Sequence, residues 1–129
     1  MGTVTAIRQV NNLSTKSIFV ATTKSEAGGT ILPGKSLGVN VWIPWCTNSF
    51  DFPGNRATVG INFPDAPRRD LVALWQNNNQ VCFSLDVQFH DPGDCVPTDC
   101  ATGGDRLLVV RDDPANPLLK ILITLTTLG

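Results

Sequence analysis

The stretch SLGVNVWIPWCTNSFDFPG, residues 36–54, begins with strict alternation of side-chain positions and ends in a loop that is rich in aromatic residues. One face of the alternating part carries large apolar side chains: Leu37, Val39, Val41, Ile43 and Trp45. Alternation with period two is the pattern of a β-strand that buries one face. The sequence therefore predicts a strand over 36–45, followed directly by an aromatic loop.

Three aromatic side chains of this stretch, Trp42, Phe50 and Phe52, fall outside that buried face. Either a second sheet or a loop covers them, or they form an exposed cluster that docks a sugar ring, a lipid or another protein. The sequence leaves both interpretations open. We take four residues as candidate ligand-binding residues: Trp42, Trp45, Phe50 and Phe52.

Turn-forming residues divide the whole chain of 129 residues into short segments, since it contains nine prolines and eleven glycines. No window shows the spacing of three and four that an amphipathic helix requires. The predicted strands are 4–10, 17–23, 36–45, 56–63, 70–76, 80–89, 106–111 and 118–127. This pattern predicts an all-β fold, a single-domain antiparallel β-sandwich or jelly roll of about eight strands over residues 1–129.

The charge balance excludes one class of partner. Ten basic residues stand against eleven acidic ones, and the net charge is −1. A nucleic-acid-binding protein needs a basic patch, and the largest basic cluster here is the pair Arg68-Arg69. No apolar run is long enough to span a bilayer, and the start of the chain lacks the pattern of a signal peptide. We therefore expect a soluble protein with no nucleic-acid partner and no transmembrane segment, in a compartment that the sequence does not identify.

Four cysteines, Cys46, Cys82, Cys95 and Cys100, allow two disulfides in three pairings. Cys95 and Cys100 flank a short loop that contains Pro97, and a local bridge between them is geometrically reasonable. Free thiols are equally consistent with a chain that lacks a signal peptide. The sequence does not decide between the two states.

The segment HDPGDCVPTDCATGGD, residues 90–105, is the best candidate for a metal site; we call it the aspartate loop. Calcium prefers six to eight oxygen ligands, and carboxylates from one end of a sandwich can supply several. The candidate calcium ligands are Asp91, Asp94, Asp99 and Asp105. Their spacing matches no compact calcium motif, and aspartate also favours turns because its side chain caps backbone N–H groups.

Catalytic patterns are missing from the sequence. His90 is the only histidine and thus the only ordinary general base. Neither a nucleophile elbow nor a phosphate-binding glycine loop followed by a helix is present. We predict a protein that is not an enzyme and that needs no cofactor, with calcium as the one candidate.

Part of the sequence resembles a known family in its layout. The order Asn11-Asn12-Leu13-Ser14, an apolar strand over 17–20, the turn 31–36 and a strand that leads to Cys46 is similar to the first half of aegerolysin-like small β-sandwich proteins. The resemblance covers about a third of the chain and lacks the tryptophan-rich middle and abundant tyrosines of that family. It implies a lipid-binding β-sandwich, and it assigns a role to no individual residue.

Two hypotheses about function follow from these patterns. In the first, the chain is a non-enzymatic recognition module whose aromatic loop binds a carbohydrate or a lipid surface. In the second, it is a structural or assembly subunit, and the same apolar surface is the interface of a homo-oligomer. Ligand identity and oligomeric state are not determined by the sequence.

Overall fold

A computed structural model describes residues 5–22, 27–62, 69–90, 93–116 and 120–128. Ten strands and one short turn of 3-10 helix, Phe52–Gly54, account for the secondary structure of these residues. The strands are β1 Thr5–Asn12, β2 Ile18–Thr22, β3 Ala27–Ile31, β4 Ser36–Trp42, β5 Ala57–Ile61, β6 Arg69–Asn77, β7 Gln80–Ser84, β8 Asp94–Cys95, β9 Gly104–Asp112 and β10 Ile121–Thr127.

The strands form two sheets that enclose an apolar core. The four-stranded sheet has the order β10-β9-β1-β4, and the six-stranded sheet has the order β3-β2-β5-β6-β7-β8. Every neighbouring pair is antiparallel except β1 and β9, which run parallel. The predicted all-β sandwich is confirmed; the described residues contain ten strands in place of about eight, with one parallel pair among them.

Two strands were not predicted, for different reasons. β3 contains Gly28 and Gly29, which favour a turn in isolation, but hydrogen bonding to β2 holds this segment in the sheet. Gly29 has a φ of +79°, and the register shifts between Val20 and Ala21 in the facing strand. β8 has two residues only, which is too short for a periodic pattern to show.

The prediction of a strand through Phe89 was wrong beyond Ser84, where β7 ends. Val87 has a φ of +56°, a left-handed conformation that an extended strand cannot contain. The turn is held by the backbone N–H of Gln88, which donates to Ser84 Oγ at 3.1 Å and to Asp86 Oδ1 at 3.2 Å. The alternation after Ser84 therefore does not reflect a sheet face.

The hairpin between β6 and β7 turns within a run of three asparagines, residues 77–79. Asn78 and Asn79 form its two-residue turn with φ values of +53° and +61°. Asparagine tolerates left-handed φ better than other non-glycine residues, and such a turn matches the twist of the two strands. The hairpin fixes the register that pairs Trp75 with Cys82 and Leu74 with Phe83.

The main core lies between the sheets and is built from alternate residues of each strand. Val41 and Ile43 belong to it, as the alternation in 36–45 predicts. Leu37 does not, because β4 is an edge strand whose register with β1 shifts, and its side chain is 39% exposed. The largest buried aliphatic side chains include Ile7, Ile18, Leu74, Leu108 and Leu125.

A second apolar cluster lies on the other face of the six-stranded sheet. Leu74 points into the main core, so Trp75, its neighbour in β6, points away from it. The members of this outer cluster are Cys46, Phe52, Ala73, Trp75 and Cys82, with Val87 and Phe89 packed against them. The aromatic loop and the segment after β7 therefore cover a sheet face that would otherwise be exposed to water.

Candidate functional site

The aromatic loop, residues 43–56, carries the chain from the four-stranded sheet to the outer cluster. It first runs beside the end of β6, where Gln76 N donates to Pro44 O at 2.8 Å and Cys46 N donates to Gln76 O at 3.0 Å. The Gln76 side chain also donates from Nε2 to Ile43 O at 2.6 Å. These bonds fix where the loop leaves the sandwich.

Phe52 anchors the middle of the loop. Its side chain is 4% exposed, and its ring meets that of Trp75 edge-on at a centroid distance of 5.2 Å. Phe89 lies 5.9 Å away, and the Arg56 guanidinium lies 5.2 Å from the centre of the Phe52 ring. Burial on this scale leaves Phe52 no surface for a ligand. Of the two interpretations of the aromatic residues, the one that applies to Phe52 is that other parts of the fold cover its side chain.

Phe50, two residues earlier, is in the opposite state, with 93% of its surface exposed. The backbone around it is held by a closed set of hydrogen bonds. Asn48 Nδ2 donates to Asp51 Oδ2 at 3.0 Å, and Asp51 N donates back to Asn48 Oδ1 at 2.8 Å. Asn55 Nδ2 donates to Asp51 O at 2.8 Å. The loop therefore presents an exposed phenyl ring on an ordered tip.

The two tryptophans of residues 36–54 pair with strands of the sandwich and do not belong to this tip. Trp42 pairs with Ala6 across β4 and β1 and is 46% exposed. Trp45 is half-buried and forms a bridge to Gln76. Of the four predicted ligand-binding residues, only Phe50 and Trp42 thus offer substantial surface to a partner.

Cys46 ties down the start of the loop. Its Sγ donates a hydrogen bond to Asn48 O at 3.1 Å. Burial is the main cause that raises the pKa of the Cys46 thiol, and the charge of Asp51 adds to it. The thiol therefore stays protonated and serves as a hydrogen-bond donor inside the loop.

Two carboxylates of the aspartate loop interact with other residues of the chain. Asp99 accepts hydrogen bonds from Ala101 N at 3.0 Å, Thr127 Oγ1 at 2.9 Å and Arg106 Nη1 at 2.8 Å. The bond from Ala101 contributes most to lowering the pKa of Asp99, followed by those from Thr127 and Arg106. Asp105 forms an ion pair with Arg8 at 2.9 Å. Two of the four predicted calcium ligands are thus already bound to arginine.

The two other candidate calcium ligands are Asp91 and Asp94. Asp94 is exposed in β8, and Asp91 lies outside the described residues. Within the part of the chain that the structure describes, no group of three or more His, Cys, Asp or Glu side chains is placed to hold a metal ion. Calcium stays a prediction to which these residues add no support.

The cysteines separate into one bridge and two buried thiols. Cys95 and Cys100 form the local disulfide that their spacing allows, with 5.6 Å between their Cα atoms. Cys46 and Cys82 form no disulfide and belong to the outer cluster. The bridge joins β8 to the loop that follows it.

His90 interacts with a carboxylate and not with a nucleophile. Its Nε2 lies 3.0 Å from both carboxylate oxygens of Asp86, on an exposed part of the surface. The hydrogen bond with His90 is the main reason that the pKa of Asp86 is lowered. Among the described residues, His90 has no hydroxyl or thiol partner that it could activate.

Sequence reasoning missed the structural role of Arg106, although the alternation of residues in β9 indicates it. Arg106 falls on the same face of β9 as Leu108 and Val110, which are both fully buried. Its side chain is 3% exposed and donates to Ala101 O at 2.6 Å and to Gly103 O at 2.9 Å. A charged residue at a core position of an alternating strand indicates an internal hydrogen-bonding role.

Comparison with known proteins assigns no family, so the chain is classified by its fold alone. No family model, curated protein or solved structure matches the chain. Across the described ranges, none of the secondary structure is a helix with the length and hydropathy to cross a membrane. The chain is an all-β sandwich, and its candidate site is the aromatic loop.

Proposed function

We propose that this chain is a non-enzymatic recognition module that docks on a lipid surface through Phe50. The observation that carries the proposal is an almost fully exposed phenyl ring on a tip that hydrogen bonds hold in place. An exposed Phe contributes nothing to the packing of its own chain. A preorganised apolar group at a loop tip suits insertion, because little conformational entropy is lost on binding.

The surroundings of Phe50 favour a lipid over a carbohydrate. A sugar stacked on an aromatic ring also needs polar groups near the ring that are available for hydrogen bonding. At this tip, Asn48 and Asp51 satisfy each other, and Asn55 donates to the Asp51 carbonyl. An apolar acyl region makes no demand on those groups. A carbohydrate remains the alternative ligand for the loop.

The expected affinity of one loop is low. Full burial of a Phe side chain contributes about 1.5–3 kcal/mol, or roughly a 10- to 150-fold gain in partitioning. Net charge of −1 gives no attraction to anionic headgroups. Binding through a single Phe50 is therefore reversible and weak, and tight attachment requires several copies on one surface.

A reporter substitution at the tip tests the proposal. Phe50→Trp places an indole at the exposed position, and its emission should shift to the blue when phosphatidylcholine vesicles are added, because the ring enters a less polar region. Phe50→Ser should reduce vesicle co-sedimentation by about tenfold while leaving thermal stability unchanged. Absence of both effects would show that the tip does not enter a bilayer.

The matched control is Leu32→Ser. Leu32 is also an exposed apolar loop residue, with 56% of its surface accessible, and it lies in the turn between β3 and β4. Vesicle binding should not change in this variant if the tip is the docking element. An equal loss in both variants would indicate nonspecific apolar adhesion. Titration of Phe50→Trp with simple sugars tests the carbohydrate alternative by the same emission readout.

A second candidate function, assembly, rests on the outer face of the four-stranded sheet. The register places two uncharged rows side by side across this face: Gln9, Leu107 and Thr126, and Asn11, Val109 and Thr124. None of these six side chains is charged, so no charge in the two rows opposes the approach of a second copy. An interface of standard size buries about 800 Å² per partner, which a four-stranded face can supply.

Light scattering tests assembly. If copies pair through these rows, Thr124→Lys should shift the equilibrium to monomer, since two lysines would then be brought together in a symmetric interface. Thr47→Lys adds the same charge to the exposed part of the aromatic loop and should leave the oligomer intact. A monomer at all concentrations in the unaltered chain would rule out this candidate function.

A further inference from the structure

A cleft of about 230 Å³ opens at a place that no sequence pattern singled out. It lies between the start of β6, the segment after β7 and residues Asp113, Asn116 and Lys120. Its apolar lining includes Leu71, Val87 and Ile121, of which Ile121 is almost fully buried. The cleft therefore has an aliphatic base formed by the edge of the main core.

Charged side chains of both signs line the same cleft: Arg69, Lys120, Asp86 and Asp113. The ion pairs found among the described residues join none of these cations to either of these carboxylates. Asp86 interacts with His90, and Asp113 Oδ1 accepts a hydrogen bond from Ala115 N at 2.8 Å. The opposite charges share one concave surface without neutralising each other.

We propose that this cleft binds a small zwitterion, with an ammonium and a carboxylate carried on a short aliphatic frame. The ligand carboxylate pairs with Arg69 or Lys120, and the ligand ammonium pairs with Asp113. A simple anion can pair only with the basic groups, and a simple cation only with the carboxylates. A molecule that carries both charges makes two charge-assisted contacts.

The size of the cleft sets the size of the ligand. Pockets for drug-sized molecules have volumes of about 300–1,000 Å³. This cleft is smaller than that range. The base of Leu71 and Ile121 suits a branched or linear aliphatic chain, so the class we infer is that of free aliphatic amino acids.

This inference goes beyond the proposed function and does not depend on it. The cleft takes Arg69 and Leu71 from the start of β6, whereas the aromatic loop lies beside Gln76 at its end. Loss of vesicle binding in Phe50→Ser leaves the cleft unchanged, and a variant of the cleft leaves the loop tip unchanged. The two proposals can therefore fail separately.

The test uses probes that differ only in charge. Leucine is compared with isocaproate, which lacks the ammonium, and with isopentylamine, which lacks the carboxylate; ε-aminocaproate tests a wider separation of the two charges. Amide chemical shifts of Leu71, Val87 and Lys120 report binding. At least one zwitterion should bind about tenfold more tightly than both single-charge analogues.

Substitutions in the cleft assign the two charges. The double variant Arg69→Gln, Lys120→Gln should abolish the advantage of leucine over isopentylamine, and Asp113→Asn should abolish its advantage over isocaproate. Arg111→Gln is the control, because Arg111 is exposed and lies outside the cleft. No shift with either zwitterion at about 20 mM, or equal binding of all four probes, would overturn the proposal.

Discussion

The aromatic loop and the aspartate loop are both long and irregular, yet different physical effects hold them in place. Burial of Phe52 against Trp75 and Phe89 fixes the aromatic loop. Ionic hydrogen bonds from Arg106 to Asp99 and to nearby carbonyls fix the aspartate loop, together with a disulfide. The side chains that look most functional by type are in both cases largely structural.

The two loops also differ in the side chains that remain available to bind a partner. In the aromatic loop, one phenyl ring serves as anchor and the neighbouring Phe50 stays exposed. In the aspartate loop, Asp99 and Asp105 are each bound to an arginine, so their charges are already compensated. An anchored loop with an unused apolar group is the better candidate for recognition. Four predictions test this comparison, from the largest effect to the smallest.

Removal of the apolar anchor should have the largest effect. Phe52→Ala deletes a buried ring from the outer cluster and should lower the free energy of unfolding by about 3–5 kcal/mol. Chemical denaturation measures the change. Phe50→Ala, two residues away on the same loop, is the matched control and should change stability by less than about 0.5 kcal/mol. Similar losses in the two variants would contradict the division between anchor and tip.

Removal of the ionic anchor should cost less. Arg106→Met keeps much of the volume but removes the side-chain donor to the carbonyls of Ala101 and Gly103, and it removes the ion-pair partner of Asp99. We expect a loss of about 2–3 kcal/mol in the free energy of unfolding. Hydrogen exchange should show faster opening in 99–104 than in the aromatic loop. A uniform increase in exchange throughout the sheet would argue against a local role.

The disulfide should contribute still less, because it closes a short loop. The separation between Cys95 and Cys100 is 5 residues, for which the chain-entropy model gives about 2 kcal/mol. The double variant Cys95→Ser, Cys100→Ser should lose about that amount. The double variant Cys46→Ala, Cys82→Ala provides a contrast, because it keeps the bridge and should lose about that amount of stability in reducing agent, whereas the variant without Cys95 and Cys100 should not respond. Equal response of both variants to reductant would contradict the assignment.

Sequence patterns predicted the sandwich and missed the details that define its sites. Period-two alternation identified β4 and the inward positions Val41 and Ile43, because one buried face imposes that pattern directly. It gave no information on the outer cluster, since Trp75 occupies the face that such a pattern assigns to water. The cleft could not be predicted either: Arg69, Asp86 and Lys120 come together only through strand order.

The smallest effect is a difference between the two loops in their response to acid. The pKa of Asp99 is lowered from its ordinary value of 3.8 by bonds from Ala101, Thr127 and Arg106. A carboxyl group whose pKa is lower in the folded state stabilises the fold above the unfolded pKa, and this contribution disappears as the pH falls through the folded pKa. Acid should therefore loosen the aspartate loop below about pH 4.

The matched experiment follows unfolding free energy from neutral pH to about pH 2.5 in three proteins: the unaltered chain, Asp99→Asn and Phe52→Ala. The deficit of Asp99→Asn should stay constant above about pH 5 and shrink below about pH 4, because protonation then removes the same interaction from the unaltered chain. The deficit of Phe52→Ala should not depend on pH, since burial of a phenyl ring involves no titrating group. Parallel acid profiles for all three proteins would mean that the ionic bonds of Asp99 contribute no stability, and that the disulfide and the bonds from Arg106 to carbonyls hold the aspartate loop.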